Sequence, residues 1–204
     1  IRLGLIGYGN WARNAYVPAF GRCGRVAIVA AAARTENMRQ RIRDELGANI
    51  LVFDSAQSLL SELPLDAVAI SVPDQVHEET LLAALDSDVA VFYEPPVADT
   101  RARVRPVLQR LVAAQQITHA DLEVAYIPAV VRSAQMIKSG TIGQPRTACI
   151  RLQCNWGPWT NLDLCTVDHL TPWYVDVLNR MLDALPKRVL VLDGHGTLGR
   201  SQNQ

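Results

Sequence analysis

No apolar run in this chain reaches the roughly 18–20 residues that a membrane-spanning helix needs. No basic region precedes the first apolar stretch, so "IRLGLIG" (1–7) reads as a buried strand and not as a secretory leader. Charge of one sign is missing too. Twenty basic and twenty acidic residues cancel, which argues against nucleic acid or an anionic membrane as partner. The four cysteines (Cys23, Cys149, Cys154 and Cys165) lack any C-x-x-C spacing. They read as free thiols in a reducing, cytoplasmic compartment, and no metal site is expected. Repeats and low-complexity segments are absent as well. What remains is a chain of 204 residues, 49% hydrophobic, enough for a sizeable core in one large or two small domains.

Short apolar runs alternate with polar, helix-compatible stretches. The runs are 1–7, "RVAIVAAAA" (25–33), "ANILVFDS" (48–55), "LDAVAISVP" (65–73), "VAVFYEP" (89–95) and "ITHADLEVA" (117–125). Helices are expected over 10–22, 34–47, 56–63, 77–87 and 99–116, the last interrupted or offset by Pro106. The strands are apolar throughout instead of alternating, the mark of a parallel sheet covered on both faces. After Pro128 the pattern changes. Residues 128–140 read as a helix with Gly140 at its C-cap. "QPRTACIRLQCNW" (144–156) alternates like a strand with one exposed face. Residues 171–185 read as a helix with Pro172 in its first turn, and 187–194 as another strand. The expected class is α/β, with one domain over 1–119 and a second over 120–204.

"GLIGYGNWA" supplies Gly7-Tyr8-Gly9-Asn10-Trp11-Ala12, a G-x-G-x-x-A placed after the first strand and at the start of a helix. Gly7 permits the tight turn, Gly9 lets a diphosphate approach the backbone, and Ala12 lets the helix pack close to the strand. Free amides at the helix start attract the phosphate. The second strand ends without the acid that would bind a free ribose 2′-hydroxyl. Ala33 stands there, followed by Arg34 and Thr35. A guanidinium pairs with a 2′-phosphate that a carboxylate would repel, so NADP is expected over NAD.

The loop Gly7–Ala12, "LDAVAISVPDQVHEETLLAAL" (65–85), "VFYEPPVADT" (91–100) and "YIPAVVRSAQMIKSGTIGQPR" (126–146), with a later helix carrying "WYVD", resemble the Gfo/Idh/MocA (glucose–fructose oxidoreductase/inositol dehydrogenase) family. The resemblance implies a Rossmann domain, doubly wound around a parallel sheet, that binds NAD(P). It also implies a C-terminal α/β domain whose open, mostly antiparallel sheet forms oligomer contacts. Its substrates are often sugars, cyclitols or their derivatives. It places Val72, Pro73, His77, Glu94 and Pro96 at the cofactor. Members usually carry Glu-Lys-Pro after the fifth strand, the lysine assisting proton transfer. Here the tripeptide is Glu94-Pro95-Pro96, and a proline has neither a titratable group nor a backbone N–H. If Asp176 is the family's helical Asp, Trp173 stands where a histidine is usual.

Replacement proton donors are therefore sought in His169, Tyr93 and Tyr126, with Asp168, Trp173 and Asp176 around the substrate. Trp156 and Trp159 would wall a substrate pocket or pack on a partner. Members run well beyond the "VLVLDG" strand, whereas this sequence stops at Gln204. An open sheet of that kind would seek a partner, so a homo-oligomer through the C-terminal sheet is expected. Two readings stand. One is an NADP-dependent oxidoreductase acting on a small sugar-like, carbonyl or imine substrate with an atypical site. The other is an inactive NAD(P)-binding sensor or scaffold subunit.

Overall fold

The computed structural model describes residues 1–153 and 166–190; of 166–170 only the backbone is described, and the side chain of Arg101 is likewise left aside. The chain divides into two compact units, Ile1–Asp121 and Leu122–Gln204.

In the first unit six parallel strands form one sheet: β1 (Arg2–Ile6), β2 (Ala27–Ala32), β3 (Leu51–Phe53), β4 (Ala67–Ile70), β5 (Ala90–Tyr93) and β6 (Thr118–Ala120). Their order is β3-β2-β1-β4-β5-β6, so the chain reverses direction across the sheet between β1 and β4. That switch point leaves a crevice at the C-terminal strand ends. The crossovers are α1 (Val17–Arg22), α2 (Glu36–Leu46), α3 (Ala56–Glu62), α4 (His77–Leu85) and α5 (Arg101–Ala113). Leu3, Leu5, Ala31 and Ala69 pack into one core with Ile42 and Tyr16. Ile6, Ala30, Ala32, Val68 and Ile70 pack into another with Leu59 and Leu81. Successive residues of one strand thus enter opposite cores, which is why the strands carry no polar alternation.

A π-helical turn over Ala12–Tyr16 precedes α1, within the stretch expected to be plain helix. Thr35 and Ser55 cap α2 and α3 through their hydroxyls, accepting from Met38 N and Ser58 N. Pro106 lies inside α5.

The second unit has a short 3-10 turn (Glu123–Tyr126), α6 (Pro128–Lys138) and α7 (Thr166–Leu182). Helix α7 starts five residues before the expected position, so Pro172 is interior and not in the first turn. The expected strand over 144–156 is not found in its described part: residues 145–153 pair with nothing. An extended segment becomes a strand only where a ladder takes up its N–H and C=O groups. Residues 187–190 likewise form no strand, and 191–194 lie outside the described residues. Among the described residues no strand follows Ala120, so the antiparallel C-terminal sheet is not observed.

Candidate functional site

The turn after β1 is fixed by backbone bonds across the sheet edge. Gly7 N donates to Ala32 O (3.0 Å) and Ser71 N to Ile6 O (2.9 Å). Gly7 has φ +90°, and a Cβ built on it would lie 2.0 Å from Ser71 O. Only glycine fits there. Gly9 differs: a Cβ at that position meets nothing within 4 Å. The space in front of it is open, as a backbone approached by a ligand requires. Behind the loop Arg13 grips Glu45 with two hydrogen bonds of 2.8 and 2.6 Å, and Tyr8 donates to the same carboxylate at 3.0 Å. Burial, then Glu45, pushes the Tyr8 phenol up to about 12. The loop is thereby tied to α2 as well as to the sheet.

In front of Gly9 lies a cavity of about 620 Å³ along the C-terminal strand ends. Gly7, Gly9, Asn10 and Trp11 line its middle; Arg34 and Thr35 line one end; Val72, Pro73 and Glu94 line another part. Those expected residues are brought to one cavity. Ala12 is fully buried behind the loop, where it allows close packing. His77 and Pro96, expected at the cofactor, do not line the cavity. His77 is 3% exposed, and its Nδ1 lies 2.6 Å from Pro96 O. A carbonyl oxygen only accepts, so Nδ1 carries the proton and holds the Glu94-Pro95-Pro96 turn in place. The Pro95–Pro96 peptide is cis, and Pro95 is buried. Tyr93 is half-buried beneath that turn, and burial raises its pKa.

At the Arg34 end, Arg39 donates to Ala33 O (2.9 Å) and Arg34 O (2.8 Å) and pairs with Glu36 at 2.7 Å. Arg39 is spent on shaping the turn. No carboxylate among the described residues engages the Arg34 guanidinium, which is exposed and is the one cation among the described residues that line the cavity.

At the Glu94 end lies a cluster that the sequence did not announce. β6 pairs with β5 so that Tyr93 lies opposite Ala120, and Asp121 N donates to Tyr93 O at 2.7 Å. Asp121 therefore follows at the strand end beside Glu94. It is 8% exposed. Phe92 lies between Tyr16 (ring centroids 5.4 Å apart) and His119 (5.7 Å, stacked), and Trp11 meets Tyr16 edge-on at 6.4 Å. Burial raises the Asp121 carboxyl above its ordinary range, and Tyr16, Trp11 and His119 partly offset that rise. The Tyr16 phenol is driven far up by burial first, then by Asp121 and Glu94. Its hydroxyl is buried without a partner of standard hydrogen-bond geometry, so its contact with Asp121 is looser than a formed bond. Such a group costs about 1–3 kcal/mol unless something satisfies it. The signal available in the sequence was positional: an acid directly after the last parallel strand, at the edge where α/β ligands bind.

A carboxyl with a raised folded-state pKa adds stability that is present below its unfolded value and lost as pH rises through the folded value. Asp121→Asn lacks this contribution. The stability of the variant relative to wild type is expected to increase as pH rises from about 4 and to level off once folded Asp121 is ionised. Urea unfolding across a pH series reads this difference, and a flat one would contradict the burial argument.

In the second unit, Trp173 is 9% exposed and donates its indole N–H to Glu123 at 2.6 Å. Arg180 pairs with Asp176 at 2.6 Å and lies 5.1 Å over the Tyr126 ring, which is 56% exposed. Two of the three residues expected around a substrate, Trp173 and Asp176, thus have partners in the 3-10 turn and in α7. Asp168 and His169 fall in the first turn of α7, with side chains outside the described residues, as are Trp156 and Trp159. Among the described residues no cluster of His, Cys, Asp and Glu is arranged to hold a metal, and no helix is long and apolar enough to cross a membrane.

Residues 1–122 match the model of the Gfo/Idh/MocA oxidoreductase family, described as an NAD-binding Rossmann fold. The chain belongs to this family. It is 24% identical over 189 residues to a D-glucoside 3-dehydrogenase of Escherichia coli strain K12, covering 90% of this chain and 52% of that protein. Among solved structures, scyllo-inositol dehydrogenase from Lactobacillus casei with bound NAD(H) and scyllo-inositol superposes with a TM-score of 0.64 at 20% identity, over 70% of this chain and 42% of that one. A super-repressor mutant of Gal80p from Saccharomyces cerevisiae superposes at 0.71 and 18% identity, over 89% and 52%. The chain thus spans about half the length of these proteins. Open parallel α/β sheets take ligands in the crevice outside the carboxyl ends of their strands, and the open space at Gly9 leaves room there for a diphosphate.

Proposed function

We propose that this chain is an NADP-dependent oxidoreductase subunit acting on a small polar substrate with a sugar-like, carbonyl or imine group. The observation that carries the cofactor assignment is the free Arg34 guanidinium at the cavity end where Ala33 replaces an acid. Gly7, Gly9, Asn10 and Trp11 would hold the diphosphate, with Arg34 and the capped start of α2 on the 2′-phosphate. Val72, Pro73 and Glu94 would flank the nicotinamide, which supplies or accepts hydride when bound. His77 holds the Glu94-Pro95-Pro96 turn against that end. Pro95 offers no proton, so the acid comes from elsewhere or from water; loss of one placed acid costs about 10²–10⁴ in rate. That cost suits a reactive C=O or C=N acceptor better than an unactivated alcohol.

Arg34→Ala is expected to weaken NADPH binding about tenfold while leaving NADH unchanged, because only the 2′-phosphate meets the guanidinium. Titration by nicotinamide fluorescence measures both. NADH binding tighter than NADPH, untouched by the substitution, would reverse the assignment to NAD.

A second reading is favoured by specific contacts. Pro95 removes the usual acid, and Trp173 and Asp176 are engaged by Glu123 and Arg180. On that reading the chain binds dinucleotide and performs no chemistry, as sensor or scaffold. Nicotinamide turnover against carbonyl, imine and sugar panels separates the two.

A further inference from the structure

The backbone of Trp11 belongs to the glycine loop, but its side chain has no part in the cofactor reading so far. The indole lines the cavity and is 42% exposed, although folding usually covers so large an apolar ring. What holds it at the cavity wall is aromatic. The turn that follows Trp11 is π-helical over Ala12–Tyr16. An α-helix makes neighbours of residues three and four apart, whereas this wider turn brings residues five apart together. Trp11 accordingly meets Tyr16 edge-on, with ring centroids 6.4 Å apart. Tyr16 is buried and packs against Phe20 (5.8 Å) and against Phe92 of β5 (5.4 Å), and those two rings meet each other at 6.1 Å. The indole is thus mounted on a packed aromatic cluster, and the edge-on contact leaves at least one of its faces uncovered by Tyr16.

Through Phe92 that mount lies on the β5 side of the switch point, whereas Arg34 and Thr35 follow β2 on the other side. A dinucleotide with its diphosphate on Gly9 and its adenosine at Arg34 therefore extends its nicotinamide toward β5, past Trp11. The oxidised nicotinamide ring is planar and positively charged, and the face of an indole is the side-chain surface that best attracts such a cation. We infer that the Trp11 indole is a specificity-determining platform on which the oxidised nicotinamide ring packs, while the loop amides hold the diphosphate. The inference rests on the dinucleotide-binding reading. With one face of the ring against the indole, only the opposite face is open to a substrate.

The test is calorimetric titration of the wild-type chain and of Trp11 variants with NADP⁺ and with 2′-phospho-ADP-ribose. That fragment keeps the diphosphate and the adenosine half and lacks the nicotinamide. NAD⁺ and ADP-ribose are run in parallel, so that the outcome does not hinge on the 2′-phosphate. Trp11→Ala is expected to weaken the dinucleotide about three- to thirtyfold, the range for a cation on an aromatic face, and to leave the fragment within about twofold of wild type. Trp11→Phe should retain most of the affinity, because a phenyl face replaces the indole. Trp11→Leu keeps an apolar side chain without a π face and should lose affinity for the dinucleotide alone; it decides the matter where Trp11→Ala does not fold. A residue that merely packs the loop would weaken dinucleotide and fragment alike. Equal losses for the two, or a Trp11→Ala chain that binds the dinucleotide as wild type does, would overturn the inference while dinucleotide binding stands. If wild type binds neither ligand, the functional reading fails first.

Discussion

Gly7→Ala is expected to lower the melting temperature by roughly 5–20 °C. At φ +90° an L-residue is strained by about 1–2 kcal/mol, and the added Cβ would lie 2.0 Å from Ser71 O, a backbone atom that cannot swing aside. Separating the β1 and β4 ends to admit it adds about 1–3 kcal/mol of overpacking. The two backbone bonds at Gly7 N and Ser71 N would be lost or stretched in the process. Thermal unfolding followed by circular dichroism measures the effect. An unchanged melting temperature would mean that the β1 turn does not have the geometry described.

Gly9→Val is expected to do the reverse. Its added atoms meet no protein within 4 Å of the Cβ, so the fold should tolerate them, with a melting temperature close to wild type. They occupy the space through which a diphosphate reaches the loop amides. Overpacking of about 1–3 kcal/mol at the ligand corresponds to a loss of about five- to 150-fold in Kd. Nicotinamide fluorescence titration of the folded variant reads the loss. Undiminished binding would move the diphosphate off Gly9. The two glycines of one motif thus separate cleanly: the first serves the turn, the second the ligand.

The first unit was legible because its central strands β1, β2 and β4 are apolar and largely buried on both faces. "AVAI" in β4 and "AIVAAA" in β2 leave no polar position to confuse the period, and Gly7 marks the turn. The second unit was less legible for physical reasons. Pro172 looked like a helix start, yet α7 carries it in its interior, as α5 carries Pro106. The alternation over 144–156 looked like a strand, but a strand exists only with a partner, and the described part of it forms no ladder.

The site shows the same division. Gly7, Gly9, Arg34 and Glu94 were readable because motif, strand order and charge fix their place. His77 was read as lining the pocket and instead buttresses the turn through Pro96 O, since burial and hydrogen bonding are not visible in spacing. Asp121 and Tyr16 went unnoticed because only the β5–β6 register and the π-helical turn bring them together. Trp173 was read as a weak indole donor near a substrate, and the acceptor of that N–H, Glu123, could not be seen from spacing.

The claim on which the account turns is that the crevice at the strand ends holds a pyridine dinucleotide across Gly9. The most direct measurement is calorimetric titration of the wild-type chain with NADPH, repeated with Gly9→Val. The account predicts saturable binding of one molecule per chain with Kd in roughly the micromolar range, sharply weakened in the folded variant. Wild-type protein that is folded by circular dichroism and takes up neither NADPH nor NADH at millimolar concentration would contradict it.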